Sequence, residues 1–379
     1  MSRRGNREGS IYKHKATGLW CAQVHLGYDA QGKPVRQYVY GKTRQEVSEK
    51  MAKLLPQVNA GLISPERYSL GDWLYTWLYT YKKNTLRPTT FERYESLVRK
   101  HVVPALGKIA LEKLRPEILQ RFYLEKQKGL SSRSVEFIHA VLHGAMKKAL
   151  QLGYISRNVC DCVEPPRKKQ KEIRILTREE LERFLFCARK HRLYPAFLLL
   201  ATTGLRRGEL LGLRWQDVDL DRGVITVSQA LAVLSKKLVF LPPKTKAGKR
   251  MIPLLPEVVE ELRGWKKKWL EEKIALGPDW PETDLVFPSE VHTPIYPRNF
   301  LRVFRDICES AGISGITIHG LRHSFASYLL ASGENPKIVQ ELLGHSSISL
   351  TLDTYSKVLP GLKEQAIEKL RGFLNGVFE

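Results

Sequence analysis

Four short segments in the C-terminal half collect arginine, lysine, histidine and tyrosine at spacings that can do chemistry. In Thr203–Glu209, Gly204 breaks a helix, Arg206 stands just before the next helical turn, and Glu209 follows three residues later. In Pro243–Pro253, PKTKAGKRMIP, Lys246 is expected at the tip of a hairpin between two strands, with Lys244 two residues before it. In His319–Ser324, HGLRHS, His319 and Arg322 are three apart and share one helix face. Finally His345 precedes Tyr355 across a Ser/Thr-rich turn, SSISLTLDT. Guanidinium forks donate paired hydrogen bonds to anionic oxygens. A phenol is a nucleophile once a base or a strong positive field offsets its pKa of about 10. Singly, each residue has an ordinary explanation as a salt-bridge partner, a solvated lysine or a packed ring. The ordered combination is what requires a common cause.

Other chemistries are excluded by their spacing rules. Thr203–Glu209 lacks the Gly-Lys-Ser/Thr of a phosphate-cradling loop, and the sequence has no Gly-x-Ser-x-Gly elbow. No carboxylate cluster suggests two-metal chemistry, and Cys160 and Cys162 are too close for a zinc knuckle. His139 and His143 are four apart, but Ala140 stands where a zinc protease would need glutamate, so they read as structural. The expected site holds no metal.

Several elements must position these groups. Residues 1–62 read as three strands and a helix: Ser10–His14, Trp20–Tyr28 and Val35–Tyr40 are β-rich, and Thr43 with Glu46 forms a capping box. The ribbon carries Lys13, Lys15, Lys33 and Arg36, which suits a nucleic-acid groove as well as a solvated face. From Ser69 to about Asn158 the pattern is helical. Leu70, Trp73, Leu74, Trp77 and Leu78 make one buried stripe, and the helix opened by Pro88 carries Arg93, Arg99 and Lys100. Residues 163–173, VEPPRKKQK and two more, form a linker. A new domain starts at 174, where Thr177 caps a helix with Glu180. It continues through short strands (Val224–Val227, Val239–Leu241, Arg250–Pro253) into helices, ending in an amphipathic helix, Gly361–Phe378.

The net charge of +23 over 379 residues is spread along the chain: +7 in residues 1–62, +10 in 63–170 and +6 beyond. A single charged tail is excluded, and several polyanion-facing surfaces are expected. With 43% hydrophobic residues the chain is globular, and no apolar run approaches a bilayer span. Five scattered cysteines and no apolar stretch behind the basic N-terminus point to a cytoplasmic protein without a membrane partner.

The series Arg206…Lys246…His319-x-x-Arg322…His345…Tyr355, with its local words TGLRRGEL, HGLRHSFA and LLGH followed by TYS, resembles the tyrosine recombinase (phage integrase) family. The resemblance covers the whole chain. It implies a multidomain α+β fold: a small three-stranded sheet plus helix as an arm-type DNA-binding domain (1–62), an all-α core-binding domain (63–162), and a mainly α catalytic domain with a small antiparallel sheet (174–379). It further implies that Tyr355 attacks a DNA phosphodiester to give a 3′-phosphotyrosyl enzyme. Arg206, Arg322 and His345 would bind the phosphate, His319 would act as base and Lys246 as general acid, with Lys244 as the alternative. Glu209 would support Arg206, and no cofactor is implied. The implied partners are double-stranded DNA attachment sites and a tetramer of this chain on DNA; whether a directionality factor joins them is left open by the sequence. Two other readings use the same residues: a type IB-like topoisomerase, disfavoured by the arm-type segment, and a noncatalytic DNA-binding regulator, disfavoured by the complete catalytic set.

Overall fold

The computed structural model describes residues 10–15, 17–28, 33–59, 68–166, 174–243 and 246–355, with positions 367 and 371. The expected helix Gly361–Phe378 and Lys244 therefore lie outside the described residues. The chain divides into two compact units, residues 1–170 and 171–379.

The first unit opens with an antiparallel meander: β1 (Ser10–Lys13), β2 (Trp20–Tyr28) and β3 (Pro34–Gly41). Tyr12, Cys21 and Tyr40 stand opposite one another across the three strands. A helix, α1 (Arg44–Asn59), buries Val47 while Cys21, Ala22 and Val24 form the interior of the sheet. Thr43 Oγ1 accepts from the Glu46 N–H at 3.1 Å, and the Glu46 carboxylate accepts from the Lys42 N–H at 2.9 Å. The capping pair is thus one residue wider than the expected box.

Residues 68–166 are helical: α2 (Leu70–Thr76), α3 (Pro88–Leu97), α4 (Val103–Leu106), α5 (Pro116–Gln127) and α6 (Ser132–Gln151). Leu70, Trp73, Leu74, Trp77 and Leu78 are all buried, as their spacing requires. Trp73 gives its indole N–H to the Ala145 carbonyl at 3.0 Å, which satisfies the polar atom that this ring takes inside. Two stretches, Trp77–Lys82 and Val98–Val102, widen into π-helical turns. After the second, Pro104 has no N–H to offer the carbonyl four residues back, a physical reason for the widened turn. Val163 packs into this core, so the chain leaves the bundle later than 163. His139 meets the Tyr123 hydroxyl and His143 pairs with Asp161, both structural roles.

The second unit begins with α7 (Arg178–Ala188), where Thr177 and Glu180 form a complete capping box. It continues with α8 (Tyr194–Thr203) and α9 (Arg207–Leu211). The strands are β4 (Val218–Asp219), β5 (Val224–Val227), β6 (Ala230–Leu234), β7 (Lys237–Leu241) and β8 (Arg250–Pro253). Helices α10 (Pro256–Leu276), α11 (Pro297–Ser310), α12 (Ile318–Ala331), α13 (Pro336–Leu343) and α14 (Ile348–Tyr355) complete it. Phe184, Phe197, Phe300 and Phe304 centre the core, with Phe197 stacked on Phe300 at 4.8 Å between ring centroids. The Tyr328 hydroxyl donates to the Leu176 carbonyl and Leu176 N–H to Ser324 Oγ, strapping the segment before α7 onto α12.

One expectation fails here. β7 and β8 are not a hairpin: β7 pairs with β6, whereas β8 pairs with β5 in the sheet β4-β5-β8. Lys246 therefore starts a single 3₁₀ turn, Lys246–Gly248, between two different sheets. The Ser/Thr-rich run before Tyr355 is also not a turn but the helix α14.

Candidate active site

Helix α8 ends at Gly204, whose φ of 62° is left-handed. A Cβ there would lie 2.6 Å from Phe325 Cδ1, so both the backbone angle and the packing demand glycine. This break turns Arg206 into the extended residue that caps α9. Its N–H donates to Glu209 Oε2 at 3.0 Å and its guanidinium to Glu209 Oε1 at 2.7 Å.

The other end of the site is the C-terminus of α13. There, three successive carbonyls each accept from a different arginine. Leu342 accepts from Arg250 Nε, Leu343 from Arg322 at 2.7 Å, and Gly344 from Arg206 at 3.2 Å. Helix C-terminal carbonyls lack intrahelical donors and carry partial negative charge, so cations are stabilised at that end. Arg322 also donates to the Gly204 carbonyl at 2.7 Å, which ties the α8 break to the α13 terminus. Two of its five N–H groups are thus engaged by carbonyls, and the residue is 2% exposed. The other three N–H groups of this fork have no carbonyl partner among these contacts. Burial, and then the neighbouring Arg206, push its pKa down to about 9, which still leaves it charged at neutral pH.

Glu209 balances part of this charge. Burial raises its pKa, but its hydrogen bond with Arg250 and the charges of Arg250 and Arg206 outweigh that, so the carboxyl is held below its ordinary range. Arg250 reaches Glu209 Oε2 at 2.9 Å with both side chains 6% exposed. Sequence reasoning missed Arg250. The signal was its phase: Arg250 shares a strand face with buried Ile252, and a core-facing charge needs a partner.

The histidines occupy the same region. His319 lies one helical turn before Arg322, with its ring 4.6 Å from that of His323, edge to face. His319 opens to solvent on one side but is crowded on the other. That burial, followed by His323, Arg322 and Arg206, lowers its pKa to about 4. His345 follows the α13 terminus directly, and its Nδ1 meets Thr351 Oγ1 at 3.0 Å. Burial, then Arg322 and Arg206, lower its pKa to about 3. Both rings are neutral at pH 7, and a neutral imidazole can accept a proton. Tyr355 is the last residue of α14, and Lys246 opens the turn whose Gly248 carbonyl accepts from Arg250 at 3.2 Å. Among the described residues no group of His, Cys, Asp and Glu is placed to hold a metal ion.

Residues 174–360 match the Phage integrase family, and residues 69–127 match the Phage integrase, N-terminal SAM-like domain. A "Tyrosine recombinase XerC-like" protein of Caldanaerobacter subterraneus subsp. tengcongensis is 31% identical over 368 residues, 92% of this chain and 94% of that protein. The chain belongs to the phage integrase family of tyrosine recombinases. Its reaction is site-specific DNA strand breakage and rejoining. The ICEBs1 integrase of Bacillus subtilis is similar at 26% identity over 96% of this chain and 99% of its own. Two solved structures share the integrase fold. The Tn1549 transposon integrase in complex with a circular intermediate DNA has a TM-score of 0.69 at 22% identity, covering 80% of this chain and 99% of its own. A lambda integrase tetramer bound to a Holliday junction has a TM-score of 0.60 at 19% identity, covering 94% and 98%.

The basic residues expected to meet DNA in this integrase are placed as follows. Lys13 ends β1, Lys15 follows it, Lys33 precedes β3, and all three are exposed. Arg36 alternates with Tyr38 and Tyr40 on the exposed face of β3. Arg93 lies over the Phe137 ring at 3.8 Å, Arg99 pairs with Glu95 at 3.0 Å, and Lys100 is exposed. No helix among the described residues is long and apolar enough to cross a membrane.

Proposed function

We propose that this recombinase integrates and excises a mobile element through a 3′-phosphotyrosyl intermediate, with the side chains gathered at the end of α13 as its catalytic centre. The convergence of Arg206, Arg322 and His345 on that helix terminus carries the reading. Tyr355 Oη attacks phosphorus, forming a P–O bond as the bond to the 5′ oxygen breaks. The phenol proton passes to neutral His319, and Lys246 protonates the leaving 5′ oxygen. Arg206, with 40% of its side chain exposed, Arg322 and His345 bind the nonbridging oxygens. Glu209 orients Arg206.

Residues 63–162 then serve as the core-binding domain and 174–379 as the catalytic domain, joined by a linker at 163–173 whose first residue, Val163, is anchored in the bundle core. Residues 1–62 act as the arm-type domain, offering Lys13, Lys15, Lys33 and Arg36 to a second DNA site, while Arg93, Arg99, Lys100 and Lys244 contact the core site. Strand exchange joins two duplexes, so four copies of the chain assemble on DNA, as the lambda integrase does on its junction. A directionality factor sets the balance between integration and excision, and the reaction takes place in the cytoplasm.

The test is covalent trapping on a nicked attachment-site substrate, from which the cleaved 5′ end diffuses away. Wild type should accumulate a protein–DNA adduct and Tyr355→Phe none. Absence of the adduct with wild type on its cognate site would overturn the reading.

A further inference from the structure

Arg250 is buried at the proposed site, its side chain 6% exposed, and it touches three of the segments that compose the site. Its guanidinium donates to Glu209 Oε2, to the Gly248 carbonyl and to the Leu342 carbonyl. We propose that Arg250 is a positioning residue that fixes the turn delivering the leaving-group proton against the Arg206–Glu209 pair and the α13 terminus. This rests on the reading that a lysine of that turn is the general acid.

The argument comes from strand pairing. In a hairpin, the ladder between two strands would hold the intervening turn. Here β7 and β8 belong to different sheets, so no ladder closes beneath Lys246–Gly248. The bond from Arg250 to Gly248 O takes over that task, at 3.2 Å and only two residues away along the chain. The same guanidinium carries the position onward to Glu209, whose other oxygen holds Arg206. Gly344 closes the clasp from the far side. Its φ is 64°, and a Cβ there would lie 2.9 Å from both the Ala247 carbonyl oxygen and Arg250 Nη1. The turn, the arginine and the α13 terminus are thus packed with no room for a side chain between them. A planar fork is needed to reach three directions at once, and an ammonium of equal charge cannot do so.

The experiment measures single-turnover adduct formation on nicked substrates with a 5′-oxygen or a 5′-sulfur leaving group. Sulfur leaves without a proton, so it rescues a missing or misplaced acid and nothing else. Three variants are compared: Lys246→Ala, Arg250→Met and Arg250→Lys, with DNA affinity and thermal melting measured alongside. Arg250→Met should slow cleavage of the oxygen substrate roughly a hundredfold and recover at least about tenfold on sulfur, with Arg250→Lys between it and wild type. Failure of Arg250→Met to recover overturns the proposal. If that variant does not fold, Arg250→Lys decides: slowed on oxygen and restored on sulfur supports it, while equal behaviour on both substrates overturns it. Lys246→Ala reports separately on the acid. If it stays slow on sulfur while the Arg250 variant recovers, the acid is another residue of that segment and Arg250 retains its role.

Discussion

The helical bundle of residues 68–166 and the cluster at the end of α13 are two opposite solutions for a basic chain. The bundle buries carbon and keeps charge outside. Trp73 and Trp77 fill its centre, while Arg93 lies on Phe137 and Arg99 pairs with Glu95 at its surface. The cluster buries charge. Arg322, Arg250 and Glu209 are all inside: the two arginines donate to carbonyls at the breaks after α8 and α13, and Glu209 accepts from Arg206 and Arg250. Residues 63–170 have the larger net charge, +10 against +6 for everything after them. Attraction to a polyanion scales with the first kind of charge, whereas reaction requires the second, fixed in place before substrate arrives.

The largest expected effect is on stability and belongs to the bundle. Trp73→Ala removes a fully buried ring and its bond to Ala145 O, at a cost of about 3–5 kcal/mol. The first denaturant transition should move accordingly, while adduct formation per folded molecule stays at the wild-type rate. An equal loss of rate would erase the contrast between the regions. Arg322→Lys is its counterpart. A lysine cannot bridge Gly204 O and Leu343 O, so cleavage should fall roughly a hundred- to a thousandfold. DNA binding should change little, because the residue is 2% exposed. A variant with wild-type rate would mean that the buried charge, not its placement, suffices.

The two regions were also unequally legible. The bundle could be read from the sequence because its stripe repeats at helical spacing and Ser69 and Pro88 mark helix starts. In the cluster, the break at Gly204 and the Arg206–Glu209 spacing were equally local and equally readable. What escaped reading was non-local. Arg250 pairs with Val227 rather than with the strand just before it, and a hairpin was the natural inference from adjacency. The helix α14 escaped for a different reason: its Ser/Thr-rich run reads as a turn by composition, although Thr351 is buried and meets His345 six residues before it. The π-helical turns of the bundle had no periodic signature either.

The smallest effect concerns protons in the cluster. An unfolded histidine titrates near 6.5, whereas His345 in the folded chain takes its proton only near pH 3 and His319 near pH 4. Above about pH 6.5 both states are neutral, and these rings contribute no pH dependence. Between 6.5 and the folded values the unfolded chain binds protons that the folded chain refuses. Stability therefore falls as pH falls through that window, and the loss is complete once both states are protonated. For His345 the loss at pH 5.5 is at most about 1.4 kcal/mol, because a ring still neutral when folded forgoes the one-unit protonation of its unfolded form. His319, open to solvent on one side, should contribute less. The measurement is the melting of the second unit in the intact chain at pH 8 and pH 5.5, for wild type and His345→Gln. The variant should lose less on acidification, since glutamine does not titrate. Meanwhile cleavage by the folded wild type should show no acid limb at 6.5, because His319 remains able to accept a proton well below it. An acid limb at 6.5 would mean that burial, with His323, Arg322 and Arg206 beside it, does not hold His319 neutral, and that the cluster is less preorganised than its hydrogen bonds imply.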